Sequence, residues 1–274
     1  MQLQGRLRKL LNEHQQPVAY QLRLVNPSEP EQHLGLNSFL GQTLSLSFSG
    51  DIHCIHCERK TKKSFNQGYC YPCFRKLAQC DTCIVKPETC HYHQGTCREP
   101  QWGLDHCFQP HLVYLANTSG LKVGITRKTQ MPTRWMDQGA VAALPLFEVK
   151  DRLTSGRVET LLAQSLKDKT AWQAMLKNQV PQLDLQAEAQ AVFEDYQHQL
   201  QPLLAEPLQR LNSRSYQFDY PVLNYPHKVK SLNPEKTPLI EGQLQGIKGQ
   251  YLLLDTGVIN LRKHAGYVVS LQIH

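Results

Sequence analysis

Apolar and polar residues alternate at period two in the first fifty residues, at QPVAYQLRL and TLSLSFSG, with the polar loop NPSEPEQH between them. Successive strand side chains face opposite sides of a sheet, so this spacing predicts a small, half-buried β region over residues 1–50. Further along, VYLA and LKVGI are continuous β-branched and apolar stretches joined by NTSG. They predict a β-hairpin with a four-residue loop, Gly124 ending its second strand. Pro132 then opens a short helix or turn carrying Arg134 and Trp135. Val158, Leu161, Leu162 and Leu166 recur at helical spacing, with Ser155 or Gly156 near the start and Glu159 on the border of the apolar face. Asp168, Thr170 and Trp172 lie near the end of this core. From Asp184, a second helix face runs through Leu185, Ala189, Val192, Phe193, Tyr196 and Leu200, and Pro202 and Pro207 break the chain after it. The pattern returns to strands at LIEGQLQGI, GQYLLLD, VINLRKH and YVVSLQI, with glycine turns between. These predict a small barrel, or a sheet completed by the N-terminal strands.

Composition narrows the class. The chain has 274 residues, 41% of them hydrophobic, which suits one large or two to three small domains with a buried core. A formal net charge of +7 leans mildly toward polyanionic partners. No apolar run approaches the length of a membrane span, and MQLQGRLRKLL lacks an apolar signal core, so a cytoplasmic protein without a membrane partner is expected.

The nine cysteines carry the strongest chemistry. Cys54, Cys57, Cys70 and Cys73 form CxxC-x12-CxxC. Each pair suits a tight knuckle on which two thiolates converge, and four thiolates suit a structural Zn²⁺ with no open position. The loop between the pairs concentrates Arg59, Lys60, Lys62 and Lys63 beside Phe65 and Tyr69, a combination able to hold phosphates and stack bases. The ordinary alternative is a solvated loop. Five more thiols lie downstream, with His91, His93 and His106 nearby. They predict a second zinc anchored by Cys80 and Cys83 and completed by Cys97 and Cys107, with Cys90 or a histidine competing.

Four consecutive elements from His111 onward supply Tyr114, Lys122-Val123-Gly124, Arg134 and Glu159. This order resembles the GIY-YIG nuclease core, which has a Tyr on the first strand of a hairpin, a [YK]-[IV]-G on the second, then an Arg and a helical Glu. Here Leu112-Val113 replace the leading Gly-Ile, and Lys122 stands at the second Tyr. Asp137 and Gln138 occupy the usual His offset, and Asn178 is a candidate for the late Asn. The resemblance spans roughly residues 111–170. The run from KSFNQGYCYPC to RWMDQGA also resembles an uncharacterised bacterial family known as a domain of unknown function, over nearly the full chain.

The expected fold is therefore α+β: an N-terminal β region (1–50), a cysteine-rich zinc-ribbon module (51–109), a GIY-YIG-like hairpin and helix core (110–217) and a C-terminal, barrel-like β region (218–274). The nuclease resemblance implies Glu159 holding one Mg²⁺ or Mn²⁺, Arg134 clamping the scissile phosphate, and Tyr114 orienting or deprotonating water. Lys122 would tune Tyr114 or contact phosphate. The rival readings are a catalytically silent DNA- or RNA-binding module and a protein-interaction scaffold. On the plain reading, Tyr114 is a sheet aromatic, Lys122 an exposed strand charge, Arg134 a surface ion pair and Glu159 a helix-face carboxylate.

Overall fold

The computed structural model describes residues 1–27, 29–166, 169–204, 207 and 209–274, so Asp168 lies outside the described residues. In chain order, the strands are β1 (Gln2–Leu7), β2 (Leu11–Glu13), β3 (Ala19–Val25), β4 (Gln32–Gly35), β5 (Thr43–His53), β6 (Lys60–Thr61), β7 (His111–Asn117), β8 (Leu121–Arg127), β9 (Ala142–Val149), β10 (Tyr216–Gln217), β11 (Leu239–Lys248), β12 (Tyr251–Leu254), β13 (Gly257–Asn260) and β14 (Tyr267–Ile273). The helices are α1 (Tyr71–Lys76), α2 (Pro100–Cys107), α3 (Thr133–Asp137), α4 (Arg152–Leu162), α5 (Trp172–Leu176) and α6 (Leu185–Leu200). The mixed α+β class is as expected. Among the described residues no helix is long and apolar enough to cross a membrane.

The chain divides into two compact units. The first comprises residues 1–75, 176–178 and 218–274, and the second 76–175 and 179–217. In this division the cysteine-rich stretch 51–109 is shared between the units, and the two terminal β regions fall in the first.

In the first unit a ten-stranded sheet runs β13-β12-β11-β5-β14-β1-β3-β2, with β4 against β3 and β6 against β5. The C-terminal strand β14 inserts between β5 and β1, pairing Leu271 with both Leu46 and Leu3. The sheet completed by N-terminal strands is thus the alternative that holds. Its cause is complementary alternation: β14 buries every second residue, in the order Tyr267, Val269, Leu271 and Ile273, matching the buried positions of β1 and β3. A one-residue slip would expose the whole apolar set.

In the second unit a four-stranded antiparallel sheet runs β10-β9-β7-β8. The hairpin β7–β8 forms as the apolar pattern requires, but Asn117 pairs with Leu121, leaving the three-residue loop Thr118-Ser119-Gly120. Val113, Leu115, Val123 and Ile125 face a core shared with Val158 and Leu162 of α4 and Leu185, Ala189 and Val192 of α6. The helix face read from Asp184 onward is the observed one, and the Asp184 carboxylate caps it by accepting from Gln186 and Ala187 N–H. The earlier helix starts before Ser155: Asp151 caps it, accepting from Thr154 N–H at 2.7 Å, and Leu166 falls beyond its end.

Candidate metal centre and hairpin site

The first four cysteines meet within the first unit. A turn carries Cys54 to Cys57, with Glu58 N–H bonded to Cys54 O at 3.0 Å and Glu58 in the left-handed region at φ 58°. The second pair begins at the entrance to α1, which holds Cys73. All four sulfurs lie within 4.8 Å of one another, and Cys57 Sγ is 3.7 Å from Cys70 Sγ. Sulfurs about 2.3 Å from one tetrahedral zinc stand about 3.8 Å apart, so the cluster has the dimensions of a zinc tetrathiolate. Burial alone would raise the Cys54 thiol, but backbone N–H groups of Cys57, Cys70 and His56 outweigh it and push the thiol down to about 7. Burial pushes Cys70 and Cys73 up, since only a cation would compensate their charge there. The donor set and its size fit zinc, and this cluster could bind one.

Beside it, Arg59, Lys60, Lys62 and Lys63 are all exposed. Lys60 pairs with Asp51 at 2.6 Å, an exposed contact that holds little energy. Lys63 Nζ lies 5.6 Å from the Phe65 ring centroid. Phe65 stacks on Phe74 and contacts Tyr71, which is 52% exposed.

In the second unit the hairpin presents Tyr114 and Lys122 on one face, because Tyr114 lies opposite Gly124 and Ala116 opposite Lys122. Gly124 does not end its strand. It sits in the middle because the Tyr114 ring fills the place of a side chain: a Cβ there would lie 2.7 Å from the tyrosine Cζ and hydroxyl oxygen. Tyr114 is fully buried, packs edge-on against Trp135 at 5.5 Å, and its hydroxyl donates to Gln138 Oε1 at 3.0 Å. Burial raises the phenol pKa, the positive charge and hydrogen bond of Arg134 oppose this, and the charge of Glu159 adds to it. Arg134 and Glu159 each lie close enough for their charge to act on Tyr114. In this arrangement the phenol proton is directed at Gln138. Lys122 is 4% exposed, so the reading as an exposed strand charge does not hold. Asn178 belongs to the first unit, where its Oδ1 accepts from Lys248 at 2.9 Å.

Two neighbours of this cluster escape motif reasoning. Gln138 stands at the offset noted for the missing histidine and takes up the tyrosine hydroxyl. Arg152 opens α4 two turns before Glu159, hence on the same helix face. It is half-buried and feels the charges of Cys107, Arg134, Glu159 and Cys83. The i, i+7 spacing of Arg152 and Glu159 is the signal in the sequence that could have found it.

The later cysteines surround a cavity of about 20 Å³ lined by Cys83, Cys90, Cys97 and Cys107, with Asp81 and Tyr92 among its other walls. Cys80, expected as an anchor, lies buried in the turn Ala78–Cys80, and Cys90 takes its place on the cavity. Burial, then the charge of Asp81 and the neighbouring thiols, push the Cys83 thiol up to about 11. Asp81, Cys83 and His91 also bring one ligand atom each within 4.8 Å of the others.

A family model described as a protein of unknown function, DUF2797, matches residues 41–269. Neither curated proteins nor solved structures give a match.

Proposed function

The chain belongs to that family, whose description carries no activity, and we propose from its residues that it is a zinc-folded, nucleic-acid-associated protein with a phosphodiester site on the hairpin core. The observation that carries this reading is the approach of Arg134 and Glu159 to the buried Tyr114 hydroxyl, in the order shared with GIY-YIG nucleases. Arg134 is the phosphate clamp, since its planar fork matches two phosphate oxygens. Tyr114, itself fixed by Gln138, positions the Arg134 guanidinium. Lys122, on the same face as Tyr114, adds positive charge where the anion would lie. Glu159 would hold one Mg²⁺ or Mn²⁺, a single carboxylate being enough when phosphate oxygens and water complete the shell; such a cation supplies neutralisation of charge on the phosphate. The basic loop Arg59, Lys60, Lys62 and Lys63, with Phe65 and Tyr71, supports DNA or RNA as the polyanion.

One observation favours a second reading, a catalytically silent nucleic-acid platform: the Tyr114 hydroxyl is buried and already engaged. A single experiment separates the two. Wild type is incubated with a mixed pool of single- and double-stranded DNA and RNA, with and without Mg²⁺ or Mn²⁺, and both binding and cleavage are followed. Metal-dependent cleavage that Arg134→Ala and Glu159→Gln abolish, with zinc content unchanged, is the expected result. Binding that weakens steeply with salt, and less steeply after replacing Lys60, Lys62 and Lys63, is expected in either case. Binding without cleavage selects the platform; absence of both refutes the nucleic-acid assignment.

A further inference from the structure

We propose a second, structural zinc site in the cavity of the second unit, with Cys83, Cys90, Cys97 and Cys107 as its four ligands. The four thiols line one cavity of about 20 Å³, room for a single ion or water but for nothing larger; they do not stand at the mutual spacing of the first cluster, so the ion would draw them together. All nine cysteines are free thiols, so no disulfide competes for them. Residues 77–99, all among the described residues, contain only three-residue turns, Ala78–Cys80, Thr82–Ile84, Pro87–Thr89 and Tyr92–Gln94, without a strand or α-helix. A stretch so poor in regular hydrogen bonding needs a staple to hold one shape, and a metal supplies it.

Two further observations select the four sulfurs over Asp81, Cys83 and His91. Asp81 is already spent: its carboxylate accepts from Thr82 N–H at 2.6 Å, pairs with Arg98 at 2.8 Å and meets His91 Nε2 at 3.3 Å. The other histidine nitrogen faces Thr96 Oγ1 at 2.7 Å. Asp81 lines the cavity, but its carboxylate and both ring nitrogens of His91 are already engaged in this network, so a cation there would have to break it.

The second observation is Arg152. A zinc held by four thiolates carries a net charge of about −2, which is costly away from water unless a cation lies beside it. Arg152 is a half-buried arginine that feels Cys107 and Cys83. One of its terminal nitrogens donates to Ile84 O at 2.5 Å, while its buried Nε has no hydrogen-bond partner among the described residues. An orphaned, positively charged N–H beside thiols is what a tetrathiolate centre uses to offset its charge and orient its sulfurs.

The test is metal stoichiometry and ligand identity on the full-length protein. Wild type should contain two zinc ions per chain, and X-ray absorption should show four sulfurs per zinc on average. Cys90→Ser and Cys97→Ser should each hold one zinc, whereas Cys80→Ser should keep two. Arg152→Met should release one of its two zincs at least tenfold faster to a chelator. One zinc in wild type, nitrogen or oxygen neighbours in the averaged shell, or two zincs retained by Cys90→Ser would each overturn the assignment. Should the serine variants fail to fold, the wild-type stoichiometry and sulfur count still decide.

Discussion

Gly124→Ala should damage the hairpin site more than any ordinary exchange of small residues. The added Cβ would lie 2.7 Å from both Cζ and the hydroxyl oxygen of Tyr114, and 3.0 Å from Cε2. Comfortable contact needs about 3.5 Å or more, so the ring must retreat by nearly 1 Å. It has little freedom to do so, being wholly buried and held between Trp135 and Gln138. Overpacking of this kind costs about 1–3 kcal/mol, and loss of the hydroxyl bond to Gln138 adds about 1 kcal/mol. The expected destabilisation is therefore about 2–4 kcal/mol, read by denaturant unfolding of the full chain. The cause is tested by a double-mutant cycle with Tyr114→Leu, which vacates the space. In that background Gly124→Ala should cost under about 0.5 kcal/mol, since alanine is otherwise as acceptable as glycine in a strand. Equal cost in both backgrounds would refute the ring contact as the reason for this glycine.

Cys54→Ser should remove the zinc of the first cluster and unfold the 54–73 region, because structural zinc binding is folding free energy of roughly 10 kcal/mol or more; an unchanged zinc content or melting temperature would count against it. Acid should expose the buried histidine of β7. His111 is fully buried, its Nδ1 faces Gln109 O at 2.7 Å, and burial pushes its pKa down from 6.5 to about 4. The unfolded chain then binds the extra proton between pH 6.5 and 4, so stability falls as pH falls through that window, by about 3 kcal/mol in total. Unfolding of His111→Gln followed from pH 7 to pH 4 should show a shallower loss, and parallel profiles would remove His111 as the cause.

Local periodicity makes the hairpin and α6 legible, because their apolar faces lie within one strand or one helix. The shared sheet is not, since β14 and β1 meet across almost the whole chain and no local pattern names a partner. The first cysteine cluster is legible because each CxxC fixes its own knuckle. Cys80 and Cys83 fall in two successive turns, Ala78–Cys80 and Thr82–Ile84, and only Cys83 lines the cavity. Cys83, Cys90, Cys97 and Cys107 reach one cavity through several turns and α2, an arrangement with no short sequence signature.

Glycine misleads twice for one reason. In a sequence it marks an end, which puts Gly124 at a strand terminus and Gly156 near a helix start. In the structure both lie inside their elements because something else occupies their side-chain space. For Gly156 that is Pro87, whose Cβ would stand 2.5 Å from an added methyl, with Glu88 N at 2.7 Å. A backbone that close cannot give way, so the turn Pro87–Thr89 and α4 are locked together at this point. Arg152, one turn earlier, holds the same segment through Ile84 O, and Glu159 comes one turn later. The cysteine-rich stretch is thus the surface against which the helix bearing Glu159 is set. Loss of the order in residues 77–99 would release α4 on the side where Glu159 and Arg134 act on Tyr114. On the proposed reading, the cysteine-rich stretch would shape the hairpin site through these contacts without contributing a ligand to it.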